Sequence, residues 1–161
     1  MPTKQIKHFT TRPREIIFKG KTLTAGRWIM GYYKQLPPYY NPNEVRDCIL
    51  EFGNDVWVKV HPDTVVQYIG VEDSKGEMLF EGDIVRVVRV SDYTGVESQD
   101  LGLGVICLSC NKSYYCGVTY HIVMNDDLGS RTFCPSYKIT KVGNIFDNPE
   151  LTENVVLKWE F

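Results

Sequence analysis

The segment Thr64-Val-Val-Gln-Tyr-Ile-Gly-Val-Glu-Asp-Ser-Lys-Gly-Glu-Met-Leu-Phe-Glu-Gly-Asp-Ile-Val85 sets the tightest limit on what this chain can fold into. Two short apolar runs flank a polar Asp73-Ser74-Lys75-Gly76 connection, and a Glu81-Gly82-Asp83 corner feeds a third run. Apolar stretches this short, separated by turn residues, read as strand, turn, strand, corner, strand. Gly76 can supply the left-handed backbone position that closes the turn. Beyond the corner, alternation puts Ile84, Val88 and Val90 on one face with Arg86, and Val85 and Val87 on the other with Arg89. Apolar residues on both faces mark a strand in the middle of a sheet or barrel.

The same reading extends along the chain. Residues 1–13 are polar and end in Arg12-Pro13, as expected of a flexible arm, and residues 14–161 form one domain. Within that domain, 14–34 is a basic hairpin in which Glu15 to Lys19 and Arg27 to Tyr33 flank a glycine-bounded loop. Pro37-Pro38 ends the hairpin, since two prolines cannot sit in a central strand. The next stretch sets two rules against each other. Asn41 as cap, Pro42 in the first turn, and Val45, Cys48, Ile49 and Phe52 at helical spacing suit a short helix around Asn43 to Ile49. Cys48 to Phe52 and Val56 to Val60, joined by Gly53-Asn54-Asp55, suit a hairpin, which is preferred because the second run alternates as a strand and needs a neighbour.

Core strands are expected over 46–90, a mobile loop over 91–102, and C-terminal strands over 103–145, at 104–108, 114–123 and 137–142. Gly102-x-Gly104 reads as a flexible turn, and Asn144 to Glu150 as a polar cap in which Pro149 starts a helical turn. The run 155–161 puts Val155, Leu157, Trp159 and Phe161 in alternation, a sticky edge that should pair with its own sheet or a neighbour's. The expected fold is mainly β: a small SH3-like barrel or strongly coiled antiparallel sheet with an N-terminal β-hairpin arm and little helix.

At 161 residues, with 43% hydrophobic residues and a net charge of -2, the chain can bury a core without crosslinks. Nothing in it approaches the ~20 apolar residues of a membrane helix, and the N-terminus lacks the apolar centre of a signal peptide, so a cytoplasmic location is expected. The small net charge hides an asymmetry. Residues 1–34 carry eight lysines and arginines against Glu15 alone, a balance of +7 that leaves -9 for the rest. A basic hairpin with Lys19, Lys21, Arg27, Trp28, Tyr32 and Lys34 suits phosphate contacts and base stacking. It equally suits docking on the acidic body of its own or a neighbouring subunit. Docking is preferred, because a phosphate-binding chain gains little from an acidic remainder.

Three blocks resemble the YopX-like family of phage and prophage proteins. The first is Arg14-Glu-Ile-Ile-Phe-Lys-Gly-Lys with Gly26-Arg-Trp-Ile-Met-Gly-Tyr. The second runs from Val60, Pro62 and Thr64 through Gln67-Tyr68, Gly70, Asp73 and Gly76 to Phe80-Glu-Gly-Asp-Ile-Val85, and the third is Val142-Gly-Asn-Ile-Phe-Asp-Asn-Pro-Glu-Leu151. They span 14–151 in the family's order. The departures are Val66 and Ile69, where glycine and threonine are usual, and the cysteine-bearing segment 107–134. The resemblance implies a mainly β protein of a phage or integrated element that self-associates, and it implies no catalytic residues.

Cys107, Cys110, Cys116 and Cys134, with His121 nearby, are the candidate zinc ligands, but their spacing does not pair two tight ligand turns. On a strand, Cys107 and Cys110 would point to opposite faces, so ordinary core cysteines are the simpler reading. Asp73, Glu81 and Asp83, with Glu72, would serve a metal-assisted hydrolase only if they converge in a cleft. The competing view is a glycine corner in which Asp83 bonds nearby backbone amides. His8, His61 and His121 stand in no nucleophile context, and Trp28 and Trp57 are expected to fill a barrel. The expected function is that of a cofactor-free, non-enzymatic accessory protein that binds itself or a host or phage protein. Nucleic-acid binding through the hairpin is the alternative, and hydrolysis the third.

Overall fold

The basic hairpin becomes β1 (Phe18–Lys21) and β2 (Trp28–Gln35) in the computed structural model, which describes residues 15–37, 45–91, 94–110, 118–124, 130–131 and 133–152. Its loop closes through Gly26, at φ 62°, whose N–H donates to the Thr22 carbonyl. β2 pairs with β3 (Asp47–Glu51), and β3 with β4 (Trp57–Lys59). The contest over this stretch is therefore settled as a hairpin across Asp47 to Lys59. Ile49 lies opposite Val58 in register, and both pack with Ile29 and Val60, so the apolar alternation of the second run outweighs the helical spacing of the first. Gly31 allows the close approach of β2 and β3, since a Cβ there would overlap the Leu50 carbonyl.

After a 3-10 turn at Pro62–Thr64, β5 (Val66–Glu72) and β6 (Met78–Phe80) form a third hairpin. Asp73 and Gly76 close its turn, with Gly76 at φ 83°. The six strands form one antiparallel sheet in the order β4-β3-β2-β1-β5-β6. The N-terminal hairpin is thus no appended arm: β1 lies between β2 and β5, with Ile17 and Lys19 buried. A single bridge, Thr22 to Val60, brings the ends of β1 and β4 together and curls this sheet.

The second sheet holds β7 (Asp83–Val90), β8 (Glu97–Cys110), β9 (Val118–Met124), β10 (Ser130–Arg131) and β11 (Tyr137–Asn144), in the order β10-β9-β8-β7-β11. The two-faced apolar pattern of β7 is realised. Ile84 packs with Val105 and Cys107 on one side, while Val85 and Val87 join Leu79, Ile106 and Ile122 on the other. Neither sheet closes into a barrel among the described residues, and Trp28 and Trp57 fill no barrel interior. Two open antiparallel sheets joined at the Glu81-Gly82 corner replace that expectation.

The segment 91–102 is not a loop throughout. β8 begins at Glu97 and pairs with the far half of β7, although Glu97 to Asp100 are exposed. The register shift between Arg86 and Val88 accommodates Gly102, at φ 89°, and a Cβ on Gly104 would meet Ile122 at 2.6 Å. Those glycines serve a bulge and a close approach within a strand rather than a flexible turn. Pro149–Thr152 forms a 3-10 turn, as the proline suggested. The expected arm over 1–13 and the run 155–161 lie outside the described residues. Among those described, no helix is long and apolar enough to cross a membrane.

Candidate interaction surface

Directly opposed residues of an antiparallel pair share a face, so register alone sorts the side chains of the six-stranded sheet. One face carries Tyr33, Ile49 and Val58 inward. The other carries Lys19 and Lys21 on β1, which lie opposite Met30 and Trp28 on β2. It continues through Tyr32 and Lys34 to Leu50, Trp57 and Lys59. Along β1 to β4 this second face holds four lysines and no aspartate or glutamate. Its charge is met from elsewhere in the fold.

Half of the face is covered by the junction between the sheets. Asp83, at the start of β7, is 0% exposed and takes the Lys19 ammonium at 2.6 Å on one oxygen. Its other oxygen accepts the Phe80 N–H at 2.9 Å and the Lys141 ammonium at 3.0 Å. A buried carboxylate is tolerated only with such partners. The Lys19 ammonium lies 4.6 Å from the Phe80 ring centroid and 5.1 Å from that of Trp28. Burial holds the Lys19 pKa below its ordinary value against the pull of Asp83, and the nearby Lys141 cation acts in the same direction as burial.

The turn after β11 covers Trp28 and Lys21. Asp147 accepts the Trp28 indole N–H at 2.7 Å, the Lys21 ammonium at 2.5 Å and the Asn144 side-chain amide at 2.8 Å. The bonds from Lys21 and Asn144 hold its carboxyl down at about 2. Phe146 stands edge-on to Trp28, with ring centroids 5.7 Å apart. On the opposite face, Arg27 grips Glu51 through two bonds of 2.7 and 2.8 Å. The basic hairpin thus docks its cations on carboxylates of its own chain.

Of the six hairpin residues singled out in the sequence, Lys19, Lys21, Arg27 and Trp28 are taken up in these contacts. Tyr32 and Lys34 lie farther along, on the half left uncovered among the described residues. There Tyr32, 49% exposed, meets Phe52, 42% exposed, edge to face at 5.4 Å and 89°. The Lys34 ammonium sits 3.9 Å from the Trp57 ring centroid. Sequence reading placed Phe52 at the end of a strand or on the apolar side of a short helix, and Trp57 in a barrel interior. The signal it passed over was the period-2 register that aligns both with Tyr32.

The other candidates do not converge. Asp73 accepts three backbone N–H groups, from Lys75, Glu77 and Lys141, at 2.7, 2.9 and 3.0 Å. Burial opposes ionisation there, but the three bonds together keep its pKa below the usual value. Glu81 meets the Tyr120 hydroxyl, while Asp83 serves the junction. Cys107 is buried in β8 opposite His121, its thiol pushed up to about 11 by burial. Cys134 lines a surface cavity of about 390 Å³ with Val71, Tyr137 and Ile139, apart from Cys107. Cys110 ends β8 opposite Val118, and Cys116 lies outside the described residues. No group of three or more His, Cys, Asp or Glu able to hold a metal ion occurs among the described residues.

No curated protein matches the chain significantly. Among solved structures, protein EF1440 from Enterococcus faecalis is similar at a TM-score of 0.44 and 18% identity, over 86% of this chain and 99% of that one. The model of the YopX protein family matches residues 32–153, from within β2 through the final 3-10 turn. That match takes in the second and third blocks noted in the sequence. The chain belongs to the YopX protein family.

Proposed function

We propose that this YopX-family chain is a non-enzymatic accessory protein of a phage or integrated element, and that it acts by binding another protein through the outer face of β2–β4. The observation that carries the reading is the Tyr32–Phe52 pair beside Lys34 and Trp57, aromatic side chains left half exposed on a face without strand carboxylates. Large exposed aromatics beside a cation are the anchors of protein interfaces. Nucleic-acid binding by the hairpin draws less support, since Lys19, Lys21 and Arg27 already hold carboxylates. Self-association is the second limb of the proposal, with Val155, Leu157, Trp159 and Phe161 as its residues and a homo-oligomer as its product.

A photo-crosslinking residue placed at Phe52 tests the reading in cells that carry the element. The expected result is a discrete adduct with a protein, lost when Trp57 is replaced by Ser. Adducts with nucleic acid alone, or none, would overturn it. The native mass of the full chain, compared with a Trp159→Ser, Phe161→Ser variant, tests the self-association limb: an oligomer lost in the variant supports it, and a monomer in both removes it.

A further inference from the structure

We infer that the uncovered half of the β2–β4 face takes an acidic–aromatic peptide segment, one in which an aromatic residue and a carboxylate are sequence neighbours. The inference rests on the protein-binding reading and names the chemistry of the partner. Its basis is that the covered half of the same face is already docked by such a segment. Phe146 lies edge-on to Trp28, and the adjacent Asp147 takes both the Trp28 indole N–H and the Lys21 ammonium. Lys21 in turn lies 5.4 Å from the Trp28 ring centroid. An aromatic and a carboxylate from consecutive residues thus satisfy one tryptophan–lysine pair.

The uncovered half repeats the receptor side of that contact. Trp57 carries Lys34 over its ring at 3.9 Å, as Trp28 carries Lys21. Beside them, no ring among the described residues covers Tyr32 and Phe52 as Phe146 covers Trp28; instead the two stand edge to face with each other, Tyr32 opposite Leu50 in register.

 The pair Tyr32–Phe52 therefore offers ring edges and faces to an incoming aromatic, and Lys34 offers its ammonium to the neighbouring carboxylate. Charge also selects the partner's class. The β3–β4 turn at the end of this face carries the exposed Asp55, and the chain as a whole carries -2. A polyphosphate strand must pass that carboxylate, whereas a segment with a single acidic residue over Lys34 avoids it.

The probe is a synthetic peptide of residues 143–150, Gly-Asn-Ile-Phe-Asp-Asn-Pro-Glu, added to the isotope-labelled full chain and followed by nuclear magnetic resonance. Saturable shifts are expected at Tyr32, Leu50, Phe52 and the Trp57 indole. Replacing the peptide's phenylalanine by alanine or its aspartate by asparagine should weaken binding about tenfold, as should Lys34→Gln in the protein. Lys34 is only partly buried, over the Trp57 ring, and an unperturbed spectrum of the variant away from this face serves as the check on its fold. Absence of shifts on this face, or shifts indifferent to the peptide's aromatic and carboxylate, would overturn the inference. So would displacement of the peptide by oligothymidylate at 150 mM salt, roughly the physiological value. A protein adduct at Phe52 with a silent peptide defeats this inference alone, while adducts with nucleic acid only defeat the protein-binding reading as well.

Discussion

Lys19 and Asp83 lie 64 residues apart in sequence, and their side chains meet at 2.6 Å where the two sheets join, with Lys19 8% and Asp83 0% exposed. Removing either charge strands the other in a poorly solvated site. Lys19→Met and Asp83→Asn are each expected to cost about 3–5 kcal/mol of unfolding free energy. Asp83→Asn should be the worse, because Lys141 also loses its partner and the Phe80 N–H keeps only a neutral acceptor. The double variant should recover part of the loss. Urea unfolding of the four proteins checks this, and strictly additive losses would show that the two groups act independently.

Asp147 gives the fold an acid-sensitive contact. Its carboxyl is held at about 2 by Lys21 and Asn144, below the ordinary 3.8. A depressed carboxylate pKa means that the folded chain holds fewer protons than the unfolded one between those values. The contact's contribution is therefore complete above about pH 4 and is lost as pH falls through about 2. Because the side chain is 38% exposed, solvent screening limits the effect to about 1 kcal/mol. Stability measured from pH 5 to pH 2 should fall less steeply in Asp147→Asn than in the parent; equal slopes would show that the contact does not form in solution.

Cys107 should be chemically silent in the folded chain. Burial in β8 pushes its thiol up to about 11, and the Glu81 carboxylate adds to the shift. At pH 8 its alkylation by iodoacetamide should be at least about a hundredfold slower than in guanidinium, since both thiolate and access are lacking. Cys134, which is only partly buried, should react before the buried Cys107 and Cys48. Peptide-resolved mass spectrometry reads both sites, and early labelling of Cys107 would place it at an open surface.

Much of the fold was legible because its strands are short apolar runs set off by turn residues. Val65 to Val71, Met78 to Phe80 and the two-faced run from Ile84 each bury at least two apolar side chains, and Gly76 and Gly82 punctuate them at φ 83° and 73°. The start of β8 was not legible, because Glu97 to Asp100 are held by the backbone of β7 while their side chains face solvent. No hydrophobic pattern records such a strand. The charge asymmetry signalled that the hairpin would meet acidic partners, but not that Lys19 would choose Asp83 and Lys21 Asp147. Those choices depend on how two sheets pack, which local periodicity does not encode. Phe52 escaped notice for a related reason: its exposure follows from the end of β3, beyond which no described segment covers the face as Phe146 covers Trp28.

The Tyr32–Phe52 contact is the cheapest test of that face. Their rings are 5.4 Å apart at 89°, the edge-to-face geometry that adds about 0.5–1.5 kcal/mol beyond area burial. Both are more than 40% exposed, so the lower end of that range is expected. Tyr32→Ser and Phe52→Ser should each cost no more than about 1–2 kcal/mol, since neither leaves a closed cavity. The coupling from a double-mutant cycle should be about 0.5 kcal/mol. A coupling of zero would mean that the rings do not meet in solution and that the face lacks the preorganised aromatic edge assigned to it. A positive coupling with unchanged overall fold separates the cost of removing the pair from any loss of partner binding, because the same serine variants then report on binding alone.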